Sequence, residues 1–197
     1  MSISLQHQRR SIRLPGYDYS QAGEYFITIC THEHEYLFGE IVKDEMQLNA
    51  FGRIVEDEWQ KSAEIRMEIE LGAYVIMPNH FHAIVHILDS DDPKYKDTAG
   101  IPNDKNKSNS PVRAYGHTPV QQQLRSPSKT LGSLVRGFKG SVTIKINELR
   151  CTPGLPVWQR NYYEHIIQSE KEYLTIEAYI ENNPANWGKD TLWPKNR

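Results

Sequence analysis

Cysteine is nearly absent: Cys30 and Cys151 are the only two among 197 residues. Two distant thiols give neither a disulfide framework nor zinc-finger spacing, so a reducing, cytoplasmic setting is expected. No apolar run approaches the ~20 residues that cross a bilayer. The opening MSISLQHQRRSIRLPG is charged and lacks an apolar stretch, so it is not read as a secretory signal. No internal repeat is visible. Residues 89–127 hold almost no aliphatic side chains but many Asp, Lys, Asn, Pro and Ser, the material of a flexible insertion. A second domain is excluded there.

What is present suits one globular domain, with 38% hydrophobic and 24% charged residues. Residues 1–22 read as a basic N-terminal arm broken by Pro15 and Gly16. Segments 23–88 and 128–197 then form the domain. GEYFITICT (23–31) is β-branched and aromatic and predicts a strand, with Phe26 and Thr28 facing opposite to Ile27 and Ile29. LFGEIV (37–42) and EMQLN (45–49) predict a hairpin around Lys43-Asp44. Asn49 can cap a helix to about Arg66, on which Ile54, Val55, Trp59 and Ala63 recur at helical spacing. IELGAYVIMP (69–78) and HFHAIVHIL (80–88) predict strands either side of a Pro78-Asn79 break. LPVWQRNYYEHIIQ (155–168) reads as a short strand or turn, and Ser169 to Asn183 as a capped helix stopped by Pro184.

The formal net charge of −2 hides an asymmetry. Residues 40–70 carry nine acids against four bases, while residues 125–150 carry six bases against Glu148 alone. From Ser128 to Arg150, Leu131, Leu134, Val135, Phe138, Val142, Ile146 and Leu149 fall on one helical stripe. Lys129, Arg136 and Lys139 lie on or near the other side, beside Ser133, Gly137 and Gly140. A basic stripe of this kind can meet a polyanion whatever the total charge, although a solvated helix face has the same pattern.

The strand HFHAIVHIL puts His80, His82 and His86 on one face, with Phe81, Ala83, Val85 and Ile87 on the other. Residues two apart on a strand lie about 7 Å apart at Cα, so the imidazoles of His80 and His82 can converge on one ion. His86 sits about 13 Å beyond His82 and should not join them. Two histidines that merely cover a sheet would give the same spacing. The eleven tyrosines do not by themselves single out a nucleophile. Tyr162 and Tyr163, beside His165, compete with Tyr179.

YVIMPNHFHAIV resembles the histidine–hydrophobic–histidine motif of HUH endonucleases, with Phe81 between the histidines. VWQRNYYEHII followed by YIENNPANW is similar to the second block of REP-associated tyrosine transposases, relatives of the single-tyrosine transposases of insertion sequences. YFITICTHEHEYLFGEIV and LVRGFKGSVTIKIN also look like that family, and only residues 89–127 fall outside the resemblance. It implies an α+β fold, a ferredoxin-like antiparallel sheet with helices packed on it in a single HUH-type domain. It further implies that Tyr179, in the Tyr-Ile-x-x-Asn-Pro pattern, is the nucleophile. His80 and His82 would hold a divalent metal, Mg²⁺ or Mn²⁺, with Asn183 as a third ligand. The implied activity nicks and rejoins single-stranded DNA, or DNA at hairpin-flanked sites, through a 5′-phosphotyrosine. Lys129, Arg136, Lys139, Arg9, Arg10 and Arg13 are the expected phosphate contacts, on a monomer or homodimer with no membrane partner. A non-catalytic hairpin-binding protein and a hydrolase using an activated water stay open. His165 reads as structural or DNA-contacting, or as a further ligand.

Overall fold

Alternation along the strands fixes two different faces on one sheet. A computed structural model describes residues 21–89, 130–189 and 192. It places β1 at Gly23–Cys30, β2 at Gly39–Val42, β3 at Glu45–Leu48, α1 at Ala50–Ile65, β4 at Ile69–Met77 and β5 at His80–Ile87. After the insertion come α2 at Leu131–Leu149, β6 at Tyr163–Ile167 and α3 at Glu170–Glu181. The basic arm to Ser20, nearly all of the insertion and Lys129 lie outside the described residues, with Arg9, Arg10 and Arg13.

The main sheet runs β4-β5-β1-β6, and β1 pairs antiparallel with both β5 and β6, as β4 does with β5. With α1 after β1 and α2 after β5, this is the ferredoxin-like arrangement, and β2-β3 is a separate hairpin. Lys43 and Asp44 both take positive φ, the twist that a tight two-residue hairpin requires. Asn49 caps α1 by accepting from the backbone N–H groups of Phe51 and Gly52, at 2.8 and 3.0 Å. A Cβ on Gly52 would lie 2.3 Å from the Phe38 carbonyl oxygen, so the hairpin can rest on this helix end only through glycine.

One face of the sheet is sealed by α1 and α2. Tyr25, Ile27 and Ile29 of β1 and Phe81, Ala83, Val85 and Ile87 of β5 meet Val55, Trp59, Leu134, Phe138, Val142 and Ile146 there. Trp59 packs edge-on to Phe81 and Phe138 at 4.9 and 5.1 Å between ring centroids. Leu149, expected in this stripe, is exposed instead. The helix ends at that residue, and Asn147 turns inward to donate to the Leu155 carbonyl. The opposite face carries a smaller cluster, Phe26, Ile84, Ile167 and Ile180, with Tyr173 and Ile176 packed beside it. That cluster is where α3 crosses the sheet, and it holds the helix above the histidine face.

Candidate active site

The turn before β5 organises the histidine pair. Asn79 is fully buried, and its carbonyl accepts from the backbone N–H and the hydroxyl of Thr31, both at 2.9 Å. Its side-chain nitrogen donates to the Leu192 carbonyl, which turns Oδ1 towards His80 Nδ1 at 2.8 Å. The amide oxygen thus holds the proton on His80 Nδ1, and the Nε2 atom carries the lone pair. Pro78 does more than break the strand: its carbonyl accepts from Leu37 and Phe38 and ties the hairpin to this corner.

His82 is fixed by register. Thr28 on β1 stands directly opposite it, and Thr28 Oγ1 lies 2.8 Å from His82 Nδ1. On its other edge, His82 Nε2 lies 3.2 Å from the Tyr179 hydroxyl. A neutral imidazole satisfies both contacts when Nδ1 donates to Thr28 and Nε2 accepts from the phenol. Burial pushes the His82 pKa well below the ordinary value, and the neighbouring His80 pushes it the same way. The ring is therefore neutral at physiological pH. The two imidazole centroids are 4.5 Å apart.

Tyr179 comes from the last full turn of α3. Its ring meets His82 and stands edge-on to Phe26 at 6.2 Å, yet the side chain is 47% exposed. A phenol pinned at one edge and open at the other can meet a large substrate. Asn183, expected as the last residue of this helix, lies beyond its end, since α3 closes at Glu181. The chain turns inward there: Asn183 is 3% exposed and its Oδ1 is buried without a hydrogen-bond partner among the described residues. A buried acceptor of this kind is costly unless something fills it. The same turn leads to Trp187, whose ring lies 5.8 Å from that of His80.

These donors suit a divalent ion: two imidazole nitrogens oriented through their other ring atoms, and a buried amide oxygen to spare. Among the described residues no group of three or more His, Cys, Asp or Glu side chains could hold a metal.

The other candidates separate. His86 faces Glu24 at 3.3 Å and packs against Tyr173, away from the pair as expected. Tyr163 and His165 share a face of strand β6, while Tyr162, just before the strand, packs on the side sealed by α1 and α2. His165 Nε2 meets Glu172 at 2.7 Å and Tyr163 is half exposed. Of the expected phosphate contacts, Arg136 is exposed. Lys139 is drawn inward, where its ammonium donates to the carbonyls of Gln159, Arg160 and Asn161 at 2.6, 3.5 and 3.3 Å. Burial lowers its pKa to about 8. Lys145 is paired with Glu58, and Arg150 with Asn147 and the Leu155 carbonyl. The basic stripe is thus largely spent on the protein itself.

No family model matches the chain. A Haemophilus influenzae protein described only as uncharacterized is 41% identical over 190 residues, spanning 95% of this chain and 94% of its own. The two belong to one family. Among solved structures, a REP-associated tyrosine transposase bound to a REP hairpin is similar, with a TM-score of 0.54 and 18% identity. The match covers 87% of this chain and 72% of that one. The chain has the fold of a REP-associated tyrosine transposase. No helix among the described residues is long and apolar enough to cross a membrane.

Sequence reasoning missed Thr28, Asn79, Phe26 and Trp187. Asn79 could have been found, because a polar residue between a strand-ending proline and a histidine pair has few other uses. Thr28 needed the β1–β5 register, which no single segment contains.

Proposed function

We propose that this protein nicks and rejoins single-stranded DNA as a transposase-type enzyme, with Tyr179 as nucleophile and a divalent metal on His80, His82 and Asn183. The observation that carries the reading is the Tyr179 hydroxyl at 3.2 Å from His82 Nε2. It puts an exposed phenol at the edge of a buried histidine pair whose His82 is neutral.

The chemistry asks for three things. A phenol with an ordinary pKa near 10 attacks poorly as the neutral group. The hydrogen bond to His82 Nε2 holds the phenol beside the very lone pair that a bound ion would take in its place. A bound divalent ion would supply the positive charge that favours the phenolate and neutralises the phosphate oxygens. Thr28 and Asn79 keep the two Nε2 lone pairs aimed into the site at no cost in reorganisation. Phe26, stacked on His82 at 5.3 Å, walls the ring from solvent.

Attack by the phenol oxygen forms a bond to phosphorus as the bond to the 3′ oxygen breaks. The electron pair leaves with that oxygen, and the proton that the phenol gives up to solvent is matched by the one the oxygen takes to become a 3′-OH. The DNA 5′ phosphate stays on Tyr179 as a phosphodiester, so one bond is exchanged for another and rejoining by a 3′-OH reverses the step. The fold of the hairpin-bound transposase supports a DNA substrate.

A labelled single-stranded oligonucleotide with Mn²⁺ should give an adduct that survives denaturation. Tyr179→Phe should remove it, and excess chelator should remove it reversibly. An adduct that persists in Tyr179→Phe rejects the nucleophile. Activity undiminished in chelator rejects the metal.

A further inference from the structure

Strand β6 is an edge of the main sheet, and its His165 meets Glu172 in the first turn of α3. Between them lies an open trough of about 770 Å³, lined by Phe26, Tyr163, His165, Gln168, Lys171 and Thr175 among others. Three features of this trough point to one occupant.

The first is an aromatic surface that nothing in the fold explains. Tyr163 is 48% exposed, although β6 could have carried a polar residue at this edge position. The second is a chain of rings. Phe26 touches Tyr163 edge-on at 6.4 Å and Tyr179 edge-on at 6.2 Å, so one side chain separates the trough from the nucleophile. The third is charge. On the other side of the same helix, Glu177 of α3 and Glu24 and Glu70 of the sheet gather around Tyr173, where a polyanion is repelled. The trough instead presents Lys171. Its carboxylate, Glu172, is occupied by the Gln168 backbone N–H at 2.8 Å and by His165 at 2.7 Å.

We propose that this trough seats an unpaired nucleobase of the DNA strand, stacked on Tyr163, next to the phosphate that Tyr179 attacks. A base in a single strand has a free π-face, and stacking on an exposed aromatic is how such strands are held without reading their sequence. The Gln168 amide in the lining offers a donor and an acceptor to the edge of that base, and the Thr175 hydroxyl, whose proton goes to the Lys171 carbonyl, offers an acceptor. Lys171 is placed to meet the adjoining phosphate. The proposal rests on the single-stranded DNA reading above, and it assigns to Tyr163 a binding role that needs its ring and not its hydroxyl.

The test uses the full chain and a fluorescein-labelled, mixed-sequence single-stranded oligonucleotide, followed by anisotropy at several salt concentrations without added metal. Removing one stacked base contact should weaken binding roughly 5- to 150-fold in Tyr163→Ala. Tyr163→Phe should bind like the parent and still form the Tyr179 adduct. The salt slope should stay unchanged in both, because no phosphate contact is lost. An oligonucleotide carrying 5-iodouracil should photo-crosslink to the peptide containing Tyr163. Equal affinity in Tyr163→Ala, or crosslinks mapping elsewhere, overturns the trough. Loss of affinity in Tyr163→Phe as large as in Tyr163→Ala overturns stacking. The two readings fail separately: an adduct surviving Tyr179→Phe with Tyr163 dependence intact rejects the nucleophile alone. An adduct on Tyr179 without Tyr163 dependence rejects the base seat alone.

Discussion

Strand β5 serves two faces that obey different rules. Phe81, Ala83, Val85 and Ile87 look into an apolar layer sealed by two helices, where all four are at most 5% exposed. His80 and His82, one residue out of phase, are buried as deeply on the other face but among polar partners. The first face accepts any residue that fills its volume. The second tolerates burial of polar atoms only because each ring nitrogen that faces the protein is met by a named group. Depth therefore does not separate core from site here; the partners do.

The largest effects should fall on opposite observables for the two faces. Phe81→Ala leaves a cavity between Trp59 and Phe138 and should cost about 3–5 kcal/mol of stability by chemical denaturation. Tyr179→Phe removes one hydroxyl and its hydrogen bond to His82 Nε2 and should cost no more than about 1.5 kcal/mol, while the covalent DNA adduct disappears. A large loss of stability in Tyr179→Phe would mean that this face is held together as the other is.

A smaller effect separates positioning from chemistry. Thr28→Val keeps volume and burial but removes the partner of His82 Nδ1. The ring is then free to rotate or change tautomer, and partners of this kind typically contribute 10–100-fold in metal affinity or activity. Calorimetric titration of Mn²⁺ should show weakening in that range, with Thr28→Ser restoring most of it. Parent-like affinity in Thr28→Val would assign the threonine to packing alone.

The fold was legible because its signals are local. Asn49 before a helical stripe, Ser169 before another, and strict alternation in β1 and β5 each lie within one segment. The histidine pair and Tyr179 came from motif resemblance, and spacing alone left Tyr163 in competition. What could not be read was long-range. Thr28 meets His82 across 54 residues and Lys139 meets the 159–161 carbonyls across about 20, contacts that only topology creates. Charge counting is blind for the same reason: it grouped Lys139 with Arg136 as a phosphate contact and could not see the carbonyls that the fold gives its ammonium.

The buried imidazole also predicts a pH response on one face only. The His82 pKa is lowered in the folded chain, so below about pH 6.5 the unfolded chain gains a proton that the folded one refuses. Stability from this group is therefore complete above pH 6.5 and declines as pH falls towards the folded value. Denaturation midpoints measured from pH 7.5 down to pH 5 should fall less steeply in His82→Gln than in the parent. Equal slopes would mean that the histidine face exchanges protons as freely as the surface does.

The smallest effects concern α2, where two residues that look alike in sequence should behave differently. Arg136 is exposed, so Arg136→Ala should change stability by less than about 0.5 kcal/mol. If its guanidinium meets a phosphate, the salt slope of single-strand binding should flatten by about 0.7 in log–log terms. Lys139 bridges α2 to the segment that leads into β6 and Tyr163. Lys139→Ala removes charge-assisted hydrogen bonds and should cost about 1.5–3 kcal/mol. Its own salt slope should match the parent's, because its ammonium is held by carbonyls of the protein. Binding curves at several salt concentrations, run beside denaturation curves for both variants, resolve the pair. If Lys139→Ala flattens the slope and leaves stability untouched, the ammonium leaves its carbonyls for DNA, and the basic stripe regains its place in recognition.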